Sequence, residues 1–192
     1  MSLTNPLGDI PISDPQAMRA LAHPVRLAAL SFLQRNGPAT ATMLAPEVGA
    51  TPSVTSWHLR HLATFGLVTD ADPDEVPGDK RQRWWKAAAR GFRIEPGEGP
   101  EYEAAYEVLG RQLIETAREQ VDTWLRDTAP RLSPEWRQAA SVSNTGVWLT
   151  ADELRDLDEQ IDELLGPYVM RAEADRPAGA APVRVLRHFL PS

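Results

Sequence analysis

The segment from Thr51 to Val68 constrains the fold of this chain more than any other. Its sequence, TPSVTSWHLRHLATFGLV, predicts one helix that ends near a glycine and continues into a strand. At 100° per residue, the inner face contains Thr55, Leu59, Leu62 and Ala63. The outer face carries small polar residues, an aromatic ring, an Arg and a His, namely Ser53, Trp57, Arg60 and His61. Such a face is suited to contact base edges in the major groove of DNA.

The residues before this helix predict two further helices. Residues 39–48 form a short helix that ends at Gly49-Ala50, so the two helices are joined by a tight turn. Upstream, Pro24 is placed for the first turn of a helix with an inner stripe of Leu27, Leu30 and Leu33. The pair around the turn predicts a helix-turn-helix. The alternative is an ordinary helical hairpin whose outer face only contacts water.

The residues after the helix predict a β-hairpin. Residues 67–71 and 81–87 are typical of strands, and the polar, proline-broken residues 72–79 separate them. A hairpin in this position corresponds to the wing of a winged helix.

Three motifs in this order resemble a known family. The runs LAHPVRLAALSFL and SWHLRHLATFGLV and the following hairpin are similar to the winged helix-turn-helix of ArsR-like transcriptional regulators. The resemblance covers roughly residues 14–92. It implies a dimeric DNA-binding regulator, usually a repressor that an effector releases from DNA.

The chain departs from the metal-sensing members of that family because it contains no cysteine. Those members bind soft metals through thiolates, and selection of soft metals depends on such ligands. His58 and His61 have a spacing that is compatible with a metal, but both lie on the predicted DNA-reading helix, which favours packing and DNA contact. His23, before Pro24, is interpreted as a hydrogen-bonding residue at a helix entry. We therefore predict no metal and no cofactor.

The charge distribution allows DNA binding despite a net charge of −7. Residues 1–92 contain nine Lys/Arg and eight Asp/Glu, whereas residues 93–192 contain eleven and nineteen. From Lys80 to Arg93 there are six cations and no anion, and phosphate affinity follows such local density. Because the hairpin tip is acidic, we expect its second strand to meet the DNA backbone. The alternative is a strand that only contacts water.

These arguments give one set of expected DNA contacts. They are Thr51, Ser53, Val54, Ser56, Trp57, Arg60 and His61 on the helix, and Lys80, Arg81 and Arg83 on the hairpin. We expect Arg81 and Arg83 to share one strand face with Trp85 and to meet phosphate, while Trp84 packs beneath.

A glycine- and proline-rich boundary at residues 96–100 precedes a predicted helix over residues 101–127. Its apolar residues repeat every three or four positions, as in a coiled coil: Tyr102, Tyr106, Leu109, Leu113, Ala117, Val121 and Trp124. This seam could pack on the core of its own chain or on a second copy, and we favour the homodimer because a palindromic site needs two recognition helices.

The last third predicts a strand–helix–strand unit. Residues 140–149 and 183–190 are strand-like, and a capping box at Thr150 opens a helix over residues 151–165. One face of the helix is apolar, and seven acidic residues cover the others. Because this unit buries little alone, it should lean on the long helix or on a partner subunit. Binding of an effector, dimerisation and binding of another protein all remain open for it.

The sequence thus predicts an α+β, mostly helical protein. We expect a flexible N-terminal arm over residues 1–13, a winged helix-turn-helix over 14–95, and a dimerisation helix with a small α/β unit over 96–192. The expected function is a sequence-specific regulator, a repressor that binds a pseudo-palindromic operator on double-stranded DNA as a homodimer. The sequence leaves open whether an unknown small-molecule effector acts on it. The alternative is a winged helix that binds only protein.

An enzyme is not expected, because the chain lacks a phosphate-binding glycine loop, a metal-ligand spacing in a plausible pocket and a Ser/His/Asp set with recognisable local context. No run reaches the ~18 apolar residues of a membrane span, and residues 1–14 lack the features of a secretory signal. We therefore expect a cytoplasmic protein without membrane contact.

Overall fold

The computed structural model describes residues 6–72, 74, 76 and 82–191 of the chain. Two compact units are present, an N-terminal unit (Met1–Thr116) and a C-terminal unit (Ala117–Ser192). The α+β, mostly helical class is confirmed, since strands occupy only short segments of the described residues. No helix in these ranges is long and apolar enough to cross a membrane.

The first four helices of the N-terminal unit are α1 (Pro15–Leu21), α2 (Pro24–Asn36), α3 (Ala41–Glu47) and α4 (Pro52–Thr64). Each is preceded by a residue whose side chain accepts a hydrogen bond from a backbone N–H of the first turn: Asp14, His23, Thr40 and Thr51. These caps satisfy donors that have no partner inside the helix. Three of the helices also begin with proline, which needs no N–H partner there.

A three-stranded antiparallel sheet forms the wing. Its order is β2 (Ala39–Thr40), β4 (Trp84–Ala87) and β3 (Val68–Asp70), so β4 is central. The predicted two-stranded hairpin is therefore joined by a third, very short strand. The connection between β3 and β4 contains all of the internal residues that lie outside the described ranges.

The expected flexible arm is wrong for residues 9–12. Strand β1 (Asp9–Ile12) pairs in parallel with β5 (Gly91–Ile94), with Asp9 opposite Gly91 and Ile12 opposite Ile94. Pro11 argues against a helix but is compatible with an edge strand. The pairing uses the backbone groups of the arm and buries Ile12.

The core of the N-terminal unit lies between its helices and the central strand. The predicted stripe of α2 is confirmed, because Leu27, Leu30 and Leu33 are all buried. Helix α5 (Pro100–Thr123) adds buried Ala105 and Leu109, and Leu113 packs against them. Of the first half of the predicted seam, Tyr102, Leu109 and Leu113 therefore pack on the core of their own chain, whereas Tyr106 is exposed.

The C-terminal unit is built around α7 (Ala151–Val169). Before it lie a π-helical turn (Trp124–Thr128), a 3-10 turn (Ala129–Arg131) and α6 (Pro134–Ala139). The predicted capping box is present at α7, where Thr150 and Glu153 each accept from the backbone N–H of the other. The helix runs past the predicted end at residue 165, because Met170 N–H donates to the Gly166 carbonyl at 2.9 Å and closes the last turn.

The two strands predicted on either side of α7 are wrong for this structure. Residues 140–149 and 183–190 form no β-ladder with any described part of the chain. A strand exists only when a neighbour accepts and donates its backbone hydrogen bonds, and neither run has one here. Arg187 of the second run instead contacts Asp158 at 3.0 Å and Asp162 of α7.

Candidate nucleic-acid interface

The predicted helix-turn-helix is present in α3 and α4. Helix α3 ends at Glu47, and α4, called the recognition helix below, begins at Pro52. Gly49 has φ of +64°, a left-handed conformation that side chains disfavour, and it turns the chain between the helices. Ala50 N–H then donates to the Ala45 carbonyl at 3.0 Å. The turn is therefore fixed by one glycine and one backbone bond.

The inner face of the recognition helix is anchored in the core. Leu59 and Leu62 are fully buried, and so is Thr55, whose hydroxyl donates to the Thr51 carbonyl at 2.9 Å. At the start of the helix, Thr51 Oγ1 accepts from Val54 N–H at 3.4 Å. This anchoring holds the opposite face in one orientation toward solvent.

The predicted contact residues of this helix lie on its outer face or at its start. Five of them are exposed, namely Thr51, Ser53, Val54, Trp57 and Arg60. The other two, Ser56 and His61, are half-buried. Arg60 is the one Lys or Arg in this helix, and it forms no ion pair with the described residues. The helix thus presents small polar groups, one cation and one aromatic ring to an approaching duplex, and DNA contact by these residues stays a prediction.

Aromatic rings form a ridge along this face. The rings of Trp57 and His61 are stacked, with centroids 5.7 Å apart and planes 4° apart. His61 also meets Phe65 edge-on at 5.3 Å. Trp57 remains 53% exposed despite the stack. The ridge offers a flat apolar surface of the kind that contacts the methyl group of thymine.

A histidine pair lies behind the outer face, and only part of it was anticipated. The interpretation of His23 as a helix-entry residue is confirmed, because its Nδ1 accepts from Val25 N–H at 3.2 Å. His58 is 5% exposed, and its ring centroid lies 4.6 Å from that of His23. Its Nδ1 is buried with no hydrogen-bond partner in the described part of the chain.

The surroundings of this pair favour the neutral form of both rings. Burial lowers the pKa of His23, and the nearby Arg26 guanidinium lowers it further. Burial also lowers the pKa of His58, and repulsion from the protonated form of His23, from Arg26 and from the protonated form of His61 adds to the effect. His58 is therefore a core residue of the recognition helix rather than a DNA contact, and its pairing with His23 across the fold had no local sequence signal.

The wing places its aromatic residues differently from the prediction. Trp85 is 1% exposed and belongs to the core, whereas Trp84 is only half-buried. The expectation that Trp84 packs beneath the strand is therefore wrong. Trp85 is the residue that faces inward because β4 is the central strand and packs against α2.

Arg83 is engaged within the wing. Its Nε donates to Asp70 Oδ1 at 2.6 Å and its Nη2 to Asp70 Oδ2 at 3.2 Å, across the hairpin. The guanidinium also lies 3.9 Å above the centre of the Trp85 ring. The hydrogen bonds from Arg83 lower the pKa of Asp70. The other two predicted wing contacts, Lys80 and Arg81, lie outside the described residues.

Comparison with known families identifies the same segment. Residues 23–70 match the family model described as "Bacterial regulatory protein, arsR family". The match runs from the His23 cap of α2 to the end of β3, and so contains the whole helix-turn-helix. A search of curated proteins found no match for the chain.

Proposed function

We propose that this chain, whose residues 23–70 match the ArsR-family regulator model, is a DNA-binding transcription regulator that binds a pseudo-palindromic operator as a homodimer and acts as a repressor. The observation that carries the proposal is the division of the recognition helix into an anchored face and an exposed face. A helix with fixed orientation and a chemically mixed outer face can discriminate bases in the major groove.

Two residues supply most of the proposed specificity. The exposed Arg60 guanidinium can donate two hydrogen bonds to one guanine, which is the commonest specific contact in protein–DNA complexes. Trp57, held flat by His61, can contact the methyl group of a neighbouring thymine. Small side chains at Ser53 and Ser56 let the helix approach the base edges closely.

The homodimer is supported by an apolar stripe on α5. Tyr106 and Ile114 are exposed by 52% and 51%, next to the face that Ala105 and Leu109 bury in their own core. Between them Gly110 has no atom within 4 Å of the position that a Cβ would occupy. The stripe is therefore open, and a second α5 can approach it closely at the glycine. Two copies joined here would present two recognition helices to a palindrome.

Repression and its relief form the rest of the proposal. A bound dimer would exclude polymerase from a promoter that overlaps the operator, and an unknown small molecule would favour the form that releases DNA. Because the chain has no thiolate to offer, the effector is not a soft metal ion bound by cysteine. We also propose a cytoplasmic location and no enzymatic activity.

A second candidate function is a winged helix that binds protein without sequence-specific DNA contact. The observation in its favour is the ion pair between Arg83 and Asp70. Asp70 engages the Arg83 guanidinium, which would otherwise be available to bind phosphate. The net charge of −7 points the same way.

Selection of genomic fragments by the purified protein tests the proposal. The wild-type chain is expected to recover a small set of sequences with two half-sites about one helical turn apart. Arg60→Ala should lose this enrichment, whereas Arg111→Ala on α5, which removes an exposed Arg outside the helix-turn-helix, should keep it. Recovery of random fragments by the wild type would favour the protein-binding alternative.

A further inference from the structure

Four rings in successive contact connect the start of α2 with the outer face of the recognition helix. The ring centroid of His58 lies 4.6 Å from that of His23 and 4.9 Å from that of Trp57, which it meets edge-on. Trp57 in turn stacks on His61. His58 is buried, whereas Trp57 lies on the exposed face. A change at the buried histidines can therefore reach the ring that is proposed to contact bases.

A buried cation lies beside the histidine pair. Arg26 donates from Nε to the Ala20 carbonyl and from Nη2 to the Arg19 carbonyl at 3.3 Å, so the end of α1 holds the guanidinium in place. Both acceptors are backbone carbonyls, which carry no net charge. The positive charge of Arg26 therefore stays next to the two rings, and it disfavours a proton on either of them.

The elements packed against the recognition helix bring no anion to His58. Their ionisable residues are Arg19 of α1, Arg26 and Arg35 of α2, Glu47 of α3 and Asp70 of β3. Of these, only Arg26 acts on His58, together with the protonated forms of His23 and His61. Protonation of His58 would thus add a positive charge to a site whose charged neighbours are all positive.

A proton on His58 would also lack an acceptor. Its Nδ1 is buried and forms no hydrogen bond within the described part of the chain. An imidazolium donates from both ring nitrogens, and a buried charged donor without an acceptor is strongly unfavourable. At His23, a proton on Nδ1 would remove the acceptor of Val25 N–H. The contact between the rings therefore favours the neutral pair, and protonation favours an arrangement in which they lie farther apart.

We propose that His23 and His58 form an acid-sensitive joint between α2 and the recognition helix, so that uptake of a proton shifts the helix and releases the operator. The two rings belong to different helices, and their separation displaces Trp57 together with His58. The proposal rests on the proposed DNA binding, and His58 acts in it as a positioning residue rather than as a DNA contact.

The direction of the pH dependence follows from linkage. The pKa values of both histidines are lowered from 6.5 in the arrangement that would bind DNA. Operator affinity should therefore be complete above pH 6.5 and be lost as pH falls toward the lowered values. Linkage allows a loss of up to about tenfold per pH unit for each proton that binding releases. A proton on half-buried His61 would instead add a cation on the outer face and strengthen phosphate contact on any sequence.

Anisotropy of a labelled operator at pH 7.5 and pH 5.5, at one ionic strength, tests the joint. The wild type should bind about tenfold more weakly at the lower pH, whereas His58→Phe and His23→Asn should each change by no more than about twofold. Asn at position 23 can still cap α2, so that variant removes the titrating ring but keeps the cap. His188→Asn, at an exposed position of the C-terminal unit, is the control and should behave as the wild type. Equal pH dependence of all four proteins would overturn the proposal.

A titration of the wild type without DNA, followed by NMR, separates the joint from DNA binding. The backbone amides of residues 52–64 should shift with the same midpoint as the His58 ring, while the far-UV circular dichroism at pH 5.5 remains that of the folded protein. Shifts confined to His58 itself, or loss of the helical signal, would refute a moving helix. If the amide shifts extend along the helix but no operator is bound at pH 7.5, the DNA-binding proposal fails and the joint stands.

Discussion

The imidazole rings of His23 and His58 lie 4.6 Å apart, where the first turn of α2 meets the recognition helix. His23 caps α2 through an unprotonated Nδ1, and His58 is buried beside the Arg26 guanidinium. Helix α2 and the recognition helix are thus joined by two rings whose surroundings favour the neutral form of each. A proton on either ring would place like charges together and, at His23 Nδ1, remove the cap.

The first prediction is that acid destabilises the N-terminal unit in a defined pH window. The pKa values of His23 and His58 are lowered in the folded state, so the unfolded chain binds more protons just below pH 6.5. The pair therefore contributes its full stability above that pH and loses it as pH falls toward the lowered values. The urea midpoint should drop between pH 7.5 and pH 5. The charged groups around the pair are Arg26 and His61, which add to the repulsion.

His58→Phe separates this effect from other titrations. The variant keeps an aromatic ring at position 58, but this ring cannot bind a proton. Its urea midpoint should therefore depend less on pH than that of the wild type. Asp70 titrates below its ordinary range and thus outside this window. An equal pH dependence of wild type and variant would assign the acid sensitivity to groups elsewhere.

The second prediction concerns base recognition by Arg60. Arg60→Ala should weaken binding to the selected operator by about 1–3 kcal/mol and binding to unrelated DNA by less, since a bidentate base contact is lost. Fluorescence anisotropy on both DNAs measures the difference. Equal losses would instead assign Arg60 to phosphate, and no loss would mean that this helix does not contact DNA.

The third prediction concerns the wing. Because Asp70 holds Arg83 in a two-bond pair, Arg83→Gln alone should reduce the salt slope by less than one unit. Asp70→Asn should have the opposite effect and raise affinity on all sequences, because it removes an anion and releases a cation. Both residues are exposed, and such pairs contribute only about 0–1 kcal/mol, so the fold should persist. Asp122→Asn, from an exposed pair on α5, is the control. A salt slope that neither wing variant changes would place the wing away from DNA.

The fourth prediction concerns soft metals. With no cysteine in the chain, stoichiometric arsenite or cadmium should not release the protein from its operator. Anisotropy of a labelled operator during metal titration provides the measurement. Release at one metal per chain would reveal a site made of nitrogen and oxygen ligands.

The sequence predicted those parts of the fold that depend on local chemistry. Helix starts followed from the capping box at Thr150 and from the proline at position 24, and the inner face of the recognition helix followed from its apolar period. The exposed position of Trp57 and Arg60 came from the same period. In each case the deciding contacts lie within a few residues of one another along the chain.

The features that escaped prediction depend on distant residues. The pairing of β1 with β5 joins segments about eighty residues apart, and nothing near Asp9 marks its partner. Trp84 and Trp85 are adjacent and chemically alike, so only the position of β4 in the sheet decides which one is buried. Residues 140–149 and 183–190 have the composition of strands but pair with no strand among the described residues, and composition alone does not specify a partner.

The last prediction concerns the dimer through α5, and the structure changes which residue tests it. Leu113 lies at the centre of the sequence-derived seam, but it packs against the core of its own chain, so a charge there would also unfold the N-terminal unit. Ile114 is 51% exposed on the open stripe. Ile114→Glu should therefore leave the thermal midpoint of the fold nearly unchanged while it raises the dimer dissociation constant, because the charge is buried only in the interface.

Operator affinity should fall when dimerisation is lost, since two recognition helices joined in one dimer bind two half-sites far more tightly than two separate monomers do. Glu115→Gln, at an exposed neighbouring position that the stripe does not include, should preserve both dimer and affinity. Sedimentation and anisotropy on the same samples decide the matter. A variant that remains dimeric would show that the two copies meet elsewhere, and a variant that is monomeric but binds the operator as tightly as the wild type would remove the need for two half-sites.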